Sequence, residues 1–72
     1  MERNRYLQLA SLHAQGKRGV IVLCEGRRYH PLWYTMKPKK KGGFDHVAYL
    51  QDAVAENSYL NADLNAIEEV TG

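Results

Sequence analysis

Residues 19–37 read GVIVLCEGRRYHPLWYTMK, and this stretch predicts a β-hairpin. Its first part, GVIVLCEG, is β-branched and apolar on both faces, which is typical of a strand buried on both sides. Glu25 and Gly26 are suited to a tight hairpin turn or a bulge, because glycine adopts positive φ without steric cost. The return strand runs from Arg27 to about Lys37. We therefore place a hairpin over about residues 19–37.

The return strand is rich in aromatic residues, and their orientation decides which of them face solvent. Pro31 has no N–H for a ladder, so we expect a local sheet edge or a bulge there. Trp33 fits either the core or the surface, and the core is favoured because this is the only tryptophan of a small domain. Strict alternation would divide the strand into two faces, with Tyr29, Pro31, Trp33 and Thr35 on one face and His30, Leu32, Tyr34 and Met36 on the other.

The segments that flank the hairpin have different patterns. RNRYLQLASLHAQ, at residues 3–15, predicts an amphipathic helix, because Tyr6, Leu9 and His13 recur at helical spacing. Gly16 follows as a stop signal at the C′ position of that helix. KPKKKGG, at residues 37–43, has nothing to bury and predicts an exposed basic loop.

Residues 44–72 fit two different structures. Asp45 is placed to cap a helix through HVAYLQDAVAE, and NADLNAIEEV has the composition of a second helix. The same segment fits strands, because HVAYLQD reads as a strand and SYLNADL places Leu60, Ala62 and Leu64 on one face at period two. These patterns leave helix and strand open over residues 45–70.

The hairpin and the segment after it contain two spaced patterns. The first, G-x-x-Y-x-P-x-x-Y, consists of Gly26, Tyr29, Pro31 and Tyr34. The second, H-x-A-x-L-x-D, consists of His46, Ala48, Leu50 and Asp52. Together with Ala-Glu-Asn-Ser at residues 55–58, they resemble a group of small uncharacterised proteins carried on conjugative elements of Firmicutes. The resemblance implies no catalytic residue, and it favours strands in the C-terminal half.

We therefore predict an α+β fold, in which an N-terminal helix is followed by a small curled antiparallel sheet or an SH3-like barrel. The alternative is an α-β-β-α-α chain with a two-stranded hairpin. A length of 72 residues predicts a single small domain over residues 1–72. Domains of this size are stabilised by only roughly 3 to 5 kcal/mol without extra support, which dimerisation would supply. The sequence is therefore compatible with a monomer or a homodimer.

Charge is distributed unevenly along the chain. Residues 1–41 hold all 10 Lys and Arg and only two acids, a net charge of +8, whereas residues 42–72 hold six acids and no base, a net charge of −6. Such asymmetry indicates either an electrostatic partner surface or two halves that neutralise each other. The lone cysteine, Cys24, and the lack of a long apolar run favour a cytoplasmic protein outside the membrane.

The sequence predicts neither an enzyme nor a cofactor. His13, His30, His46 and Cys24 lack the closely spaced pairs of a zinc site, so no metal site is predicted. The carboxylates are dispersed along the chain, and no phosphate-binding glycine motif surrounds Gly42 and Gly43.

Nucleic-acid binding, to DNA or RNA, is the function that the residues favour. Lys and Arg displace counterions from phosphates, and aromatic faces stack on single-stranded bases. The alternative is a protein-interaction module that uses charge against an acidic partner, or strand addition near Pro31. The predicted nucleic-acid contacts are Arg27, Arg28, Tyr29, Trp33, Lys37, Lys39, Lys40 and Lys41.

Overall fold

The computed structural model describes residues 1–70. Helix α1 (Arg3–Ala14) is followed by the strands β1 (Val22–Cys24), β2 (Arg27–Pro38), β3 (Phe44–Asp52), β4 (Tyr59–Asp63) and β5 (Ile67–Glu69). The strands form one antiparallel sheet in the order β4-β3-β2-β1-β5. The predicted α+β class, a helix followed by a small antiparallel sheet, is confirmed. Within residues 1–70 the sheet is open and no barrel closes, because β4 and β5 lie at opposite edges.

Helix α1 ends at Ala14, one residue before the predicted end at residue 15. The chain turns out of the helix at Gly16, the predicted stop signal. The Gly16 N–H donates to the His13 carbonyl at 2.9 Å, and the Lys17 N–H donates to the Leu12 carbonyl at 3.2 Å. These two bonds form a Schellman motif, which requires a residue with positive φ at the C′ position. Gly16 meets that requirement with a φ of 94°.

The hairpin between β1 and β2 turns at Glu25 and Gly26, as predicted. Cys24 pairs with Arg27, so the turn contains only two residues, and their φ angles are 52° and 78°. Positive φ at both central positions is the geometry of a type I′ turn, whose twist matches that of the flanking strands. The first strand is shorter than predicted, because residues 19–21 precede β1 without joining the sheet.

The longest ladder joins β2 to β3. It extends from the pair Tyr29–Asp52 to the pair Pro38–Phe44, so Lys37 and Pro38 belong to the strand rather than to the basic loop. The predicted loop at residues 37–43 is therefore two residues too long. The connection is 39–43, closed by a hydrogen bond of 3.0 Å from the Lys39 N–H to the Gly43 carbonyl.

The C-terminal half forms strands, and the α-β-β-α-α alternative is wrong. Ala48 and Leu50 of β3 are both fully buried, and they pair with Ala62 and Leu60 of β4. The apolar side chains of this segment are thus buried at the strand period of two rather than at the helical period. A single 3-10 turn, Leu64–Ala66, then leads into β5.

The core lies between α1 and the sheet. The amino group of Met1 donates to the carbonyls of Leu64 and Ile67 at 2.9 and 3.0 Å, which ties the start of the helix to the end of the sheet. The buried cluster consists of Tyr6, Leu9, Ala10, Val22, Cys24, Tyr29, Ala48, Leu50, Leu64 and Ile67.

Candidate nucleic-acid interface

A β-bulge in β2 decides the orientation of the aromatic residues. Pro31 pairs with Leu50 and Trp33 pairs with the next residue of β3, Tyr49, so Leu32 is an extra residue without a partner. An extra residue reverses the alternation of side chains beyond it. Trp33 therefore does not share the core face of Pro31, and it is 64% exposed. The interpretation of Trp33 as a core residue is wrong.

Pro31 explains why the bulge falls at this position. The last pair between β1 and β2 is Val22–Tyr29, so β1 does not extend alongside Pro31. A proline without an N–H is tolerated where one side of its strand lacks a partner. Both alternatives predicted for Pro31, a local edge and a bulge, are confirmed.

The face of β2, β3 and β4 opposite to Ala48 and Leu50 is called the outer face below. Trp33 and Tyr49 lie directly across from each other on it, and Tyr59 pairs with Gln51 on the next strand. Tyr59 is 66% exposed. By strand register, the residues of the outer face are His30, Trp33, Thr35 and Lys37 from β2, Asp45, Val47, Tyr49 and Gln51 from β3, and Tyr59, Asn61 and Asp63 from β4.

The sequence prediction missed Tyr49 and Tyr59. The signal for Tyr49 is the alternation of HVAYLQD, in which Ala48 and Leu50 face the core and the tyrosine between them faces away. Tyr59 becomes its neighbour only through the pairing of β4 with β3, which is a long-range contact rather than a local pattern.

The lysines cluster at one end of the outer face. Lys37 lies on the same face as Trp33, about 13 Å further along β2 at a rise of about 3.3 Å per residue. Lys39 forms an ion pair of 3.3 Å with Asp45. Arg5–Glu69 and Lys39–Asp45 are the ion pairs within residues 1–70, so no acid in that range contacts Lys40 or Lys41.

Arg27 and Arg28 lie at the opposite end of β2. Lys37 lies ten positions after Arg27 in the strand, a distance of about 33 Å. Hydrogen bonds from the backbone N–H groups of residues 55 and 54 lower the pKa of Asp52, and the nearby charge of Arg27 lowers it further. The structure therefore does not bring these arginines together with the lysines of the loop.

Tyr29 lies in the core and is only 6% exposed. The expectation that Tyr29 and Trp33 share an exposed face is therefore wrong, because the bulge at Leu32 separates them. A tyrosine ring with so little exposed surface has no free face on which a base stacks.

The three histidines pack against neighbouring side chains, and Cys24 is buried in the core. The rings of His13 and His30 stack with centroids 4.8 Å apart, and the Tyr34 hydroxyl is hydrogen-bonded to His46. Over residues 1–70 no group of three or more His, Cys, Asp or Glu side chains is arranged to hold a metal ion. Burial raises the pKa of the Cys24 thiol, which opposes formation of a reactive thiolate.

Comparison of the chain with protein-family models, curated proteins and solved structures finds no match. The resemblance to proteins of conjugative elements therefore stays a prediction. In the part of the chain that the structure describes, no helix has the length and apolar character needed to cross a membrane.

Proposed function

We propose that this protein binds nucleic acid through the outer face and the lysine loop at residues 39–43. The observation that carries the proposal is the exposure of Trp33 on the same face of β2 as Lys37, which leads directly into that loop. A large exposed aromatic ring on the same face as positive charge is the combination that binds bases and phosphates together.

Each part of this surface supplies a separate contribution to affinity. Lysines that neutralise phosphates release condensed counterions, which makes the affinity dependent on salt. Stacking of a base on an aromatic ring contributes about 1–3 kcal/mol and tolerates any base, because every base has a π-face. Lys37, Lys40 and Lys41 supply the first contribution, and Trp33 supplies the second.

The charge asymmetry of the sequence is only partly neutralised by folding. The two halves meet in the ion pairs Arg5–Glu69 and Lys39–Asp45. Lys40 and Lys41 lie in the exposed loop between β2 and β3 and take part in neither pair. Their charge is available to an anionic ligand.

A matched pair of double variants tests the proposal. K40A/K41A and R27A/R28A each remove two positive charges, but only the first pair lies in the loop that follows Lys37. For a labelled single strand, each phosphate contact contributes about 0.7 to the slope of log K against log salt. We therefore expect K40A/K41A, which removes two lysines, to reduce that slope by about 1.4. R27A/R28A should change the slope much less. Equal losses in the two variants, or no loss in K40A/K41A, would refute a role for this loop.

The open edge of β4 supports a second candidate, strand addition by a protein partner or a second copy. β4 lies at one end of the sheet order, and its five residues contain no lysine or proline that would protect the edge. The edge predicted near Pro31 is less suited, because α1 packs against β2. Sedimentation over a range of protein concentrations tests for a homodimer, and Leu60→Lys should abolish any association through this edge.

A further inference from the structure

Three aromatic residues cross the outer face on three neighbouring strands, Trp33 on β2, Tyr49 on β3 and Tyr59 on β4. Trp33 and Tyr59 are the two most exposed aromatic side chains within residues 1–70, and Tyr49 is half-buried between them. Two exposed rings on one face provide two stacking positions rather than one.

The separation of Trp33 and Tyr59 follows from the strand register. They are two strands apart, which is about 10 Å across the sheet. Along the strand direction, Tyr59 lies two residues, about 7 Å, from Asn61, the residue that pairs with Tyr49. The resulting separation is about 12 Å, compared with a rise of about 3.4 Å between stacked bases of one strand. A strand that reaches both rings therefore spans several nucleotides.

We propose that the ligand is a single strand, with one base stacked on Trp33 and another on Tyr59; this inference rests on the proposed function. In a duplex both faces of each internal base are covered by neighbouring bases, so exposed side-chain rings find no partner there. Unpaired bases can be splayed out and stacked on aromatic side chains.

Charge on the outer face restricts the path of the strand. Asp63 lies opposite Val47, on the side of Asn61 nearer to the basic loop, and repels phosphates from that part of β4. The path that avoids it begins at Lys37, passes Trp33 and crosses Tyr49 to Tyr59. The neutral side chains of Gln51 and Asn61 flank the crossing and offer hydrogen bonds to bases.

The test measures anisotropy with labelled oligothymidylate of about 12 nucleotides, within the range of small single-strand binding domains. The same strand annealed to oligoadenylate supplies the duplex, and oligouridylate of equal length separates RNA from DNA. We expect the wild-type protein to bind at least one of the two single strands more tightly than the duplex, by about tenfold or more.

The variant Tyr59→Ala should weaken single-strand binding about 5- to 150-fold and leave duplex binding unchanged. Tyr59→Phe keeps the ring and should bind as the wild type does. Phe44→Ala is the matched control, because Phe44 is also exposed but shares the face of Ala48 and Leu50. Circular dichroism establishes that each variant is folded.

Three results would overturn the inference. If duplex and single strand bind equally, or if Tyr59→Ala binds like the wild type while K40A/K41A is impaired, the single-strand path is wrong and nucleic-acid binding remains. If no oligonucleotide binds at low salt, both proposals fail.

Discussion

The Tyr6 hydroxyl donates a hydrogen bond of 2.8 Å to the backbone carbonyl of Tyr49, directly across from the bulge in β2. Burial raises the pKa of Tyr6 well above its ordinary value, although a hydrogen bond from the Leu32 backbone partly opposes that shift. One side chain of α1 thus satisfies the backbone carbonyl of Tyr49 beside the point where the ladder is irregular.

Tyr6→Phe should destabilise the fold by about 1–3 kcal/mol, because it leaves the part-buried Tyr49 carbonyl without the Tyr6 hydroxyl as its donor. The folded-state pKa of Tyr6 lies above the unfolded value of 10.0, so above pH 10 the folded chain keeps a proton that the unfolded chain has lost. Wild-type stability should therefore fall as pH rises past 10, and Tyr6→Phe should lack that part of the decrease. Urea unfolding at several pH values measures both effects. Tyr59→Phe, at an exposed site, should behave like the wild type.

Trp33→Ala should reduce stability by less than about 1 kcal/mol, because substitutions of exposed side chains cost little. Leu50→Ala, one residue from Tyr49 but fully buried, should cost about 2–5 kcal/mol and serves as the comparison. Chemical denaturation of both variants gives the two values. A loss in Trp33→Ala as large as that in Leu50→Ala would show that the ring is part of the core.

Local patterns predicted some elements of this fold and not others. Helix α1, its stop at Gly16 and the turn at Glu25 and Gly26 were predictable, because neighbouring residues alone determine them. The bulge at Leu32 was foreseen only as one of two consequences of Pro31. Its effect on Trp33 depends on pairing with β3, which no local pattern contains.

The ends of the sheet show the same limit. Cys24 pairs with Ile67 across more than forty residues, and this pairing places β5 beside β1. HVAYLQD has both a helical and an alternating interpretation, so the choice between them depends on whether a partner strand is available. The candidate site shows the same dependence on long-range pairing. The lysine loop was predictable from composition, whereas the position of Tyr59 was not, because it depends on the pairing of β4 with β3.

Acidification should loosen α1 from the sheet. Burial lowers the pKa of His13, the nearby His30 lowers it further, and His13 Nδ1 is buried without a hydrogen-bond partner. The folded-state pKa therefore lies below the unfolded value of 6.5, so the unfolded chain binds more protons and stability falls as pH drops through 6.5.

His13→Phe tests this expectation, because phenylalanine retains a ring to stack on His30 but cannot be protonated. Unfolding measured between about pH 7 and pH 5 should show a smaller decrease in stability for this variant than for the wild type. Hydrogen exchange of the α1 amides should locate the difference. Identical pH dependence in both proteins would exclude His13 as its source.

Asp45→Asn should strengthen binding to oligonucleotides. Asp45 pairs with Lys39 and lies opposite Lys37 on the outer face, so its charge reduces the attraction of two lysines for phosphate. A unit charge about 10 Å from a phosphate in water contributes about 0.4 kcal/mol, so the expected gain is about twofold for each phosphate at that distance.

The expected cost of Asp45→Asn in stability is small, because an exposed ion pair contributes at most about 1 kcal/mol. Glu56→Gln is the matched control, since Glu56 is exposed in the turn between β3 and β4, away from the lysine loop. Both variants raise the net charge by one, so a general effect of charge would strengthen binding equally in both. A gain confined to Asp45→Asn, present at low salt and lost at high salt, would locate the phosphate contacts at Lys37 and the adjoining loop.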